Sequence, residues 1–189
     1  MYVILEGIDT AGKSTQIELL KQEYKNAVFT KEPGGTNVGK TIRSLVLEND
    51  IKSSVCEMFL FLADRAEHYK RVVEPNDFVI SDRGLVSGIA YAMQNFDDLE
   101  MLGNLNKLCL DGKLPDKVIL LSLDKDELNT RLSKKSHDKI ELRGIEYLLS
   151  IQENMIKVLE FLGIDYVVID AKRSVEGIFD EIKSFIDKS

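Results

Sequence analysis

The chain has 189 residues, 44% of them hydrophobic and 30% charged, with a net charge of −7 at pH 7. That length suits one domain, 1–189, with a sizeable core, and the composition is that of an ordinary globular protein. The acidic balance, with an isoelectric point of about 5.0, speaks against a nucleic-acid surface, which normally carries a basic stripe, and no apolar run approaches the roughly 20 residues a bilayer requires.

A first strand is expected at 2–5, and the loop after it reads Gly7-Ile-Asp-Thr-Ala-Gly-Lys-Ser14. A strand, then G-x-x-x-x-G-K-S, then a helix is the context in which backbone N–H groups cradle phosphates. Lys13 can reach the terminal phosphates and the Ser14 hydroxyl can hold Mg2+. The helix over 13–25 carries Ile17, Leu20 and Tyr24 on one stripe. A second strand at 27–30 runs into Glu32-Pro-Gly-Gly-Thr36, where Pro33 ends the strand and two glycines permit a close-approaching backbone or an ordinary turn. Arg43, on the helix that follows, either points at the cleft or is solvated. Residues 54–73 read as one long helix with Phe59, Leu62 and Ala66 along a face. On it, Phe61 and Arg65 are spaced i, i+4, so a ring and a guanidinium could meet one planar ligand, although most such phenylalanines are core.

The third strand, 77–81, leads straight into Asp82-Arg83. Residues just past a central strand project into the ligand crevice, so Asp82 is a candidate Mg2+ ligand and Arg83 a candidate phosphate fork. A surface ion pair is the plainer alternative. Ser87 and Tyr91 share a helix face beyond. Strands at 117–123 and 165–169 and helices at 143–162 and 174–187 complete the pattern, the last helix burying Val175, Ile178, Ile182 and Phe185. Five strands interleaved with helices predict a doubly wound α/β fold with a parallel sheet and ligands at the carboxyl ends of its strands. The polar stretch at 133–141, between two helices, reads as a solvated loop or a cationic lid. Cys56 and Cys109 lack metal-ligand spacing and read as reduced core thiols. With no leader-like segment at the N-terminus, the cytoplasm is expected. His68 and His137 read as structural or solvated, and no Ser-His-Asp arrangement is present.

In this order, the pieces resemble the thymidylate kinases. The resemblance runs over Gly7–Thr15, Thr30-Lys-Glu-Pro-Gly-Gly-Thr36, Phe61-Leu-Ala-Asp-Arg-Ala-Glu-His68, Asp82-Arg83 with Ser87 and Ala90-Tyr91, Asp138-Lys-Ile-Glu141, and Val168-Ile-Asp-Ala171. It implies a P-loop kinase fold with a short lid near 133–142, transfer of the γ-phosphate of ATP to dTMP, Mg2+, and a homodimer formed through helices near 54–73. ATP would lie against Gly7, Ile8, Asp9, Thr10, Ala11, Gly12, Lys13, Ser14 and Thr15, with Arg131 and the backbone of Ala171 around adenine. Around dTMP the resemblance implies Asp9, Glu32, Pro33, Arg43, Phe61, Arg65, Arg83, Ser87, Gly88 and Tyr91. Phe61 would stack on thymine, Arg65 would bond its edge, Arg83 would hold the phosphate and Tyr91 would crowd C2′.

Two departures stand out. Some family members carry an arginine just after the position of Asp9; here it is Thr10. The lid offers Lys134, Lys135 and Lys139, point charges without a bidentate fork, with Arg131 or Arg143 as substitutes. Gly88 stands where a polar residue is usual. A kinase for another nucleotide remains the nearest alternative. A GTP switch would need Asn-Lys-x-Asp, which is absent, and a silent nucleotide binder is at odds with Lys13, Ser14 and Asp82.

Overall fold

The computed structural model describes residues 1–133 and 144–188. Its five strands are β1 (Tyr2–Glu6), β2 (Val28–Lys31), β3 (Val79–Asp82), β4 (Lys117–Ser122) and β5 (Asp165–Asp170). All pair in parallel, in the order β2-β3-β1-β4-β5. The central strands are buried on both faces; Val3, Ile4, Ile80, Val118 and Leu120 have no exposed surface. This is why they read as continuous apolar runs and not as alternating ones.

Eight α-helices flank the sheet among the described residues: α1 (Lys13–Glu23), α2 (Asn37–Glu48), α3 (Ser54–His68), α4 (Leu85–Ala92), α5 (Leu99–Cys109), α6 (Lys125–Leu132), α7 (Ile145–Leu162) and α8 (Val175–Asp187). Most start on a side-chain cap. Thr36, Ser53, Asp98, Asp124 and Ser174 each accept an N–H from the first turn of α2, α3, α5, α6 and α8, satisfying donors that the helix itself leaves open.

The long helix expected over 54–73 is α-helical only to His68; Tyr69–Val73 form a π-helical turn. Its buried face also differs from the expected one. Phe59 is 55% exposed and Ala66 is exposed, whereas Leu62, Asp64, Arg65 and His68 point inward. Cys56 is exposed and Cys109 only half-buried, so neither is a core thiol. Val175, expected in the core, is exposed at the start of α8, where Ile178, Ile182 and Ile186 carry the packing. Tyr24 lies just past α1, packing edge-on against Phe78 and donating its hydroxyl proton to Asp187.

Candidate active site

The chain crosses from one side of the sheet to the other around β1 and β3, which lie side by side. Loops after such a pair diverge and open a crevice. The loop after β1 is Gly7–Gly12. Gly12 begins α1 at φ +97 and Thr10 stands at φ +67, left-handed conformations that turn successive N–H groups toward one point. Lys13 is buried, its Nζ donating to the carbonyls of Gly7 at 2.9 Å and Ile8 at 3.2 Å. Burial, with Arg83 second, pulls its ammonium down to about 8.

The turn after β3 is held just as tightly. Arg83 has φ +69, and its N–H donates to the Leu5 carbonyl at 3.0 Å. Its guanidinium bridges to the phosphate loop, Nη1 to the Gly7 carbonyl at 2.8 Å and Nη2 to Asp9 Oδ1 at 2.6 Å. One residue earlier, Asp82 Oδ1 is buried and has no hydrogen-bond partner among the described residues. Ser14 and Asp82 line a common recess. One carboxylate and one hydroxyl suit Mg2+, which keeps most of its ligands as water and phosphate oxygens.

Behind Arg83 opens a cavity of about 260 Å3, and all ten residues expected around dTMP line it. Phe61 and Arg65 come from α3, Ser87, Gly88 and Tyr91 from α4, and Arg43 reaches over from α2 to donate to the Pro33 carbonyl at 3.1 Å. Arg65 is almost fully buried. Its Nε stands 3.0 Å from Glu32 Oε2 as an ion pair outside hydrogen-bond alignment. Nη2 donates to the Gly84 carbonyl at 3.0 Å and Nη1 to Asn106 Oδ1. His68 Nδ1 lies 2.7 Å from Glu32 Oε1, and its Nε2 lies 2.8 Å from the Thr30 hydroxyl. Burial pushes the Glu32 carboxyl up, but Arg65 and His68 outweigh it and hold it below the usual range.

A family model described as thymidylate kinase matches residues 5–182. The chain is 54% identical to a thymidylate kinase of Nautilia profundicola, covering 100% of this chain and 97% of that one. It is 50% identical to one of Aliarcobacter butzleri, covering 99% of each. The chain belongs to the thymidylate kinase family. Its fold also matches the crystal structure of the thymidylate kinase from Ehrlichia chaffeensis, with a TM-score of 0.77 and 26% identity over 100% of this chain and 98% of that one. As a thymidylate kinase, the chain phosphorylates dTMP to dTDP with ATP. No described helix is long and apolar enough to cross a membrane.

Gly88 stands where any larger side chain would meet Arg65. A Cβ there would lie 2.7 Å from Nη2 and 3.1 Å from Nη1 of Arg65. The guanidinium fills the space a side chain would use and is itself held on three sides. Gly88→Ala is therefore expected to push Arg65 off its position and raise KM for dTMP by about tenfold, roughly the 1.4 kcal/mol of one well-aligned charged hydrogen bond. KM for ATP should stay near the wild-type value; steady-state kinetics with each substrate varied would show it.

Arg131, expected beside adenine, is held by three hydrogen bonds in the plane of its guanidinium. Nε donates to Glu127 at 2.7 Å, Nη1 to the Thr10 carbonyl at 3.0 Å and Nη2 to the Ala171 carbonyl at 2.6 Å. It straps the phosphate loop to the turn after β5, the two segments between which ATP is expected. Lys134, Lys135, Lys139 and Arg143, with Asp138, Glu141 and His137, lie outside the described residues.

Among the residues in or behind the thymidylate kinase site that escaped the sequence reading are Asn106 and Glu6. Asn106 lies on α5, a helix not singled out there. Glu6 ends β1 with no exposed surface; the signal was a carboxylate closing an otherwise apolar strand. Burial pushes Glu6 up to about 7 against the pull of Arg83. The folded chain thus keeps a proton that the unfolded chain releases near the ordinary 4.5. This group's contribution to stability therefore falls as pH rises from about 4.5 to about 7, by about 3 kcal/mol in all. Glu6→Gln is expected to remove that slope and to gain on the wild type between about pH 5 and pH 8, read by thermal unfolding at both.

Proposed function

We propose that the crevice divides between two substrates, with ATP on the phosphate loop and dTMP in the cavity behind Arg83. The observation that carries this reading is the continuity of the two. Arg83 touches Gly7 and Asp9 of the phosphate loop while lining the cavity that holds Phe61 and Arg65. In this arrangement Phe61 stacks on thymine, Arg65 bonds its edge with the donors left over from Glu32, Gly84 and Asn106, and Tyr91 presses on the sugar at C2′. Arg43 and Arg83 hold the acceptor phosphate, and Asp9 orients Arg83.

Phosphoryl transfer asks the protein for alignment and positive charge more than for covalent chemistry. Lys13 neutralises the terminal phosphates and Arg83 faces the transferring group, with Lys134 and Lys135 of the lid adding cations. Ser14 and Asp82 would hold Mg2+, which would supply neutralisation of phosphate charge when bound. The acceptor phosphate is mostly ionised at neutral pH, its second pKa being about 6, so no strong general base is needed. The chain acts as one domain, 1–189, in the cytoplasm. A homodimer through α2 and α3 is supported by the exposed apolar side chains those helices carry, Val38, Leu45, Val55 and Phe59.

The direct test is ADP release with Mg-ATP and, separately, dTMP, dUMP, dCMP, UMP and AMP. Release with dTMP well ahead of the rest is expected. A faster rate with another acceptor would overturn the assignment of Phe61, Arg65 and Tyr91.

A further inference from the structure

Helix α4 carries Ser87, Gly88, Tyr91 and Ala92 of the dTMP cavity yet begins without a cap of its own: Gly84 precedes it and offers no side chain. Two of the N–H groups at its start find their acceptor on the neighbouring strand β1. Glu6 Oε1 accepts the Gly84 N–H at 3.0 Å and the Ser87 N–H at 3.1 Å. Glu6 is the last residue of β1 and adjoins Gly7, the first residue of the phosphate loop. Gly84 in turn offers its carbonyl to Arg65 Nη2 at 3.0 Å and to the Ser87 hydroxyl at 3.3 Å. One buried oxygen therefore sits at the head of a chain of bonds running from β1 through the first turn of α4 to the guanidinium on α3.

We propose that Glu6 is a positioning residue for dTMP, whose carboxylate oxygen anchors the first turn of α4, and with it Ser87, Gly88 and Tyr91, to the strand that carries the phosphate loop. The inference rests on the reading of that cavity as the dTMP site. Nothing in the phosphoryl-transfer scheme uses Glu6, and with no exposed surface it cannot touch a substrate. Its other oxygen is buried and has no partner among the described residues. Reach, and not charge, is then what the anchor requires. A glutamine keeps the accepting oxygen at the same distance from the backbone and drops the charge. An aspartate keeps the charge but is one methylene shorter and draws the oxygen back by more than a hydrogen bond tolerates.

The two variants separate the roles. Glu6→Asp is expected to raise KM for dTMP by about tenfold, as two backbone hydrogen bonds are lost, with KM for ATP changing less than threefold. Hydrogen exchange at the Gly84 and Ser87 amides should speed up by about the same tenfold. Glu6→Gln is expected to keep both KM values within threefold of wild type and to leave those amides protected. Equal impairment in both variants would show that the charge matters and overturn the proposal. So would a common rise in both KM values, or unchanged exchange at Ser87 in Glu6→Asp. If the wild-type enzyme ignored dTMP, the reading of the cavity would fail, while amide exchange would still decide whether Glu6 anchors α4.

Discussion

Lys13→Ala is expected to lower kcat by about 10²–10³-fold or more, the loss found when one preorganised group facing developing charge is removed. The ammonium is buried and already pinned to the Gly7 and Ile8 carbonyls, so it waits at the floor of the phosphate loop and does not have to be recruited from solvent. Its burial is a cost to the folded chain, visible in an ammonium held at about 8. Negative phosphates offset that cost, and the interaction grows as charge moves toward the β-γ bridge. The fold should survive the substitution, because it removes a cation whose burial the folded chain has to bear, at the loss of two hydrogen bonds to the Gly7 and Ile8 carbonyls. Single-turnover ADP formation, paired with thermal unfolding, checks both halves. A rate within tenfold of wild type in a folded variant would sink the role given to Lys13.

Arg65→Ala is expected to cost about 3–5 kcal/mol of stability, the range for breaking one side of a buried ion pair. Glu32 is 4% exposed and faces Arg65 and His68. Without the guanidinium it keeps only the His68 bond, and Asp64 lies close enough to act on it as a like charge. Against a typical total of about 5–15 kcal/mol, such a loss would leave a protein that unfolds far below the wild-type temperature. The effect on dTMP can still be isolated. Pairing the substitution with Glu32→Gln removes the stranded charge and should restore much of the unfolding temperature, while affinity for dTMP stays low because the base edge has lost its donor. Urea unfolding of the single and double variants decides this. A single-variant loss under about 1 kcal/mol would mean that Glu32 is not held by Arg65.

The strands were legible because a parallel sheet buried on both faces leaves short apolar runs bounded by polar residues, and Val3-Ile4-Leu5 or Val118-Ile-Leu-Leu121 admit little else. The phosphate loop was legible because its glycines answer to backbone geometry. The face of α3 was not. Amphipathic reading assumes that apolar residues point inward, whereas this helix turns Asp64, Arg65 and His68 toward the core and Phe59 toward solvent. A buried polar network inverts the usual pattern and shows only when its partners, Glu32 from the end of β2 and Asn106 from α5, arrive from distant parts of the chain. The same holds for Glu6, whose two amide partners lie 78 and 81 residues away. Of the ten residues expected around dTMP, spacing offered the pairs Phe61 with Arg65 and Ser87 with Tyr91, placement after a strand offered Arg83 and the turn at Glu32-Pro33, and Arg43 was open between cleft and solvent; the family resemblance added Asp9 and Gly88 and joined them into one site.

The left-handed backbone at Arg83 sets the interests of the fold against those of the reaction. A side chain at φ +69 costs about 1–2 kcal/mol that glycine would not incur. Under selection for heat resistance alone, Arg83→Gly should be tolerated, since relief of the turn offsets the lost bonds to Gly7 and Asp9. Under selection for growth that depends on turnover by this chain, the same variant should vanish, since it removes the guanidinium joining the two halves of the crevice. Position 83 is thus where a library screened for robustness and one screened for turnover would part company.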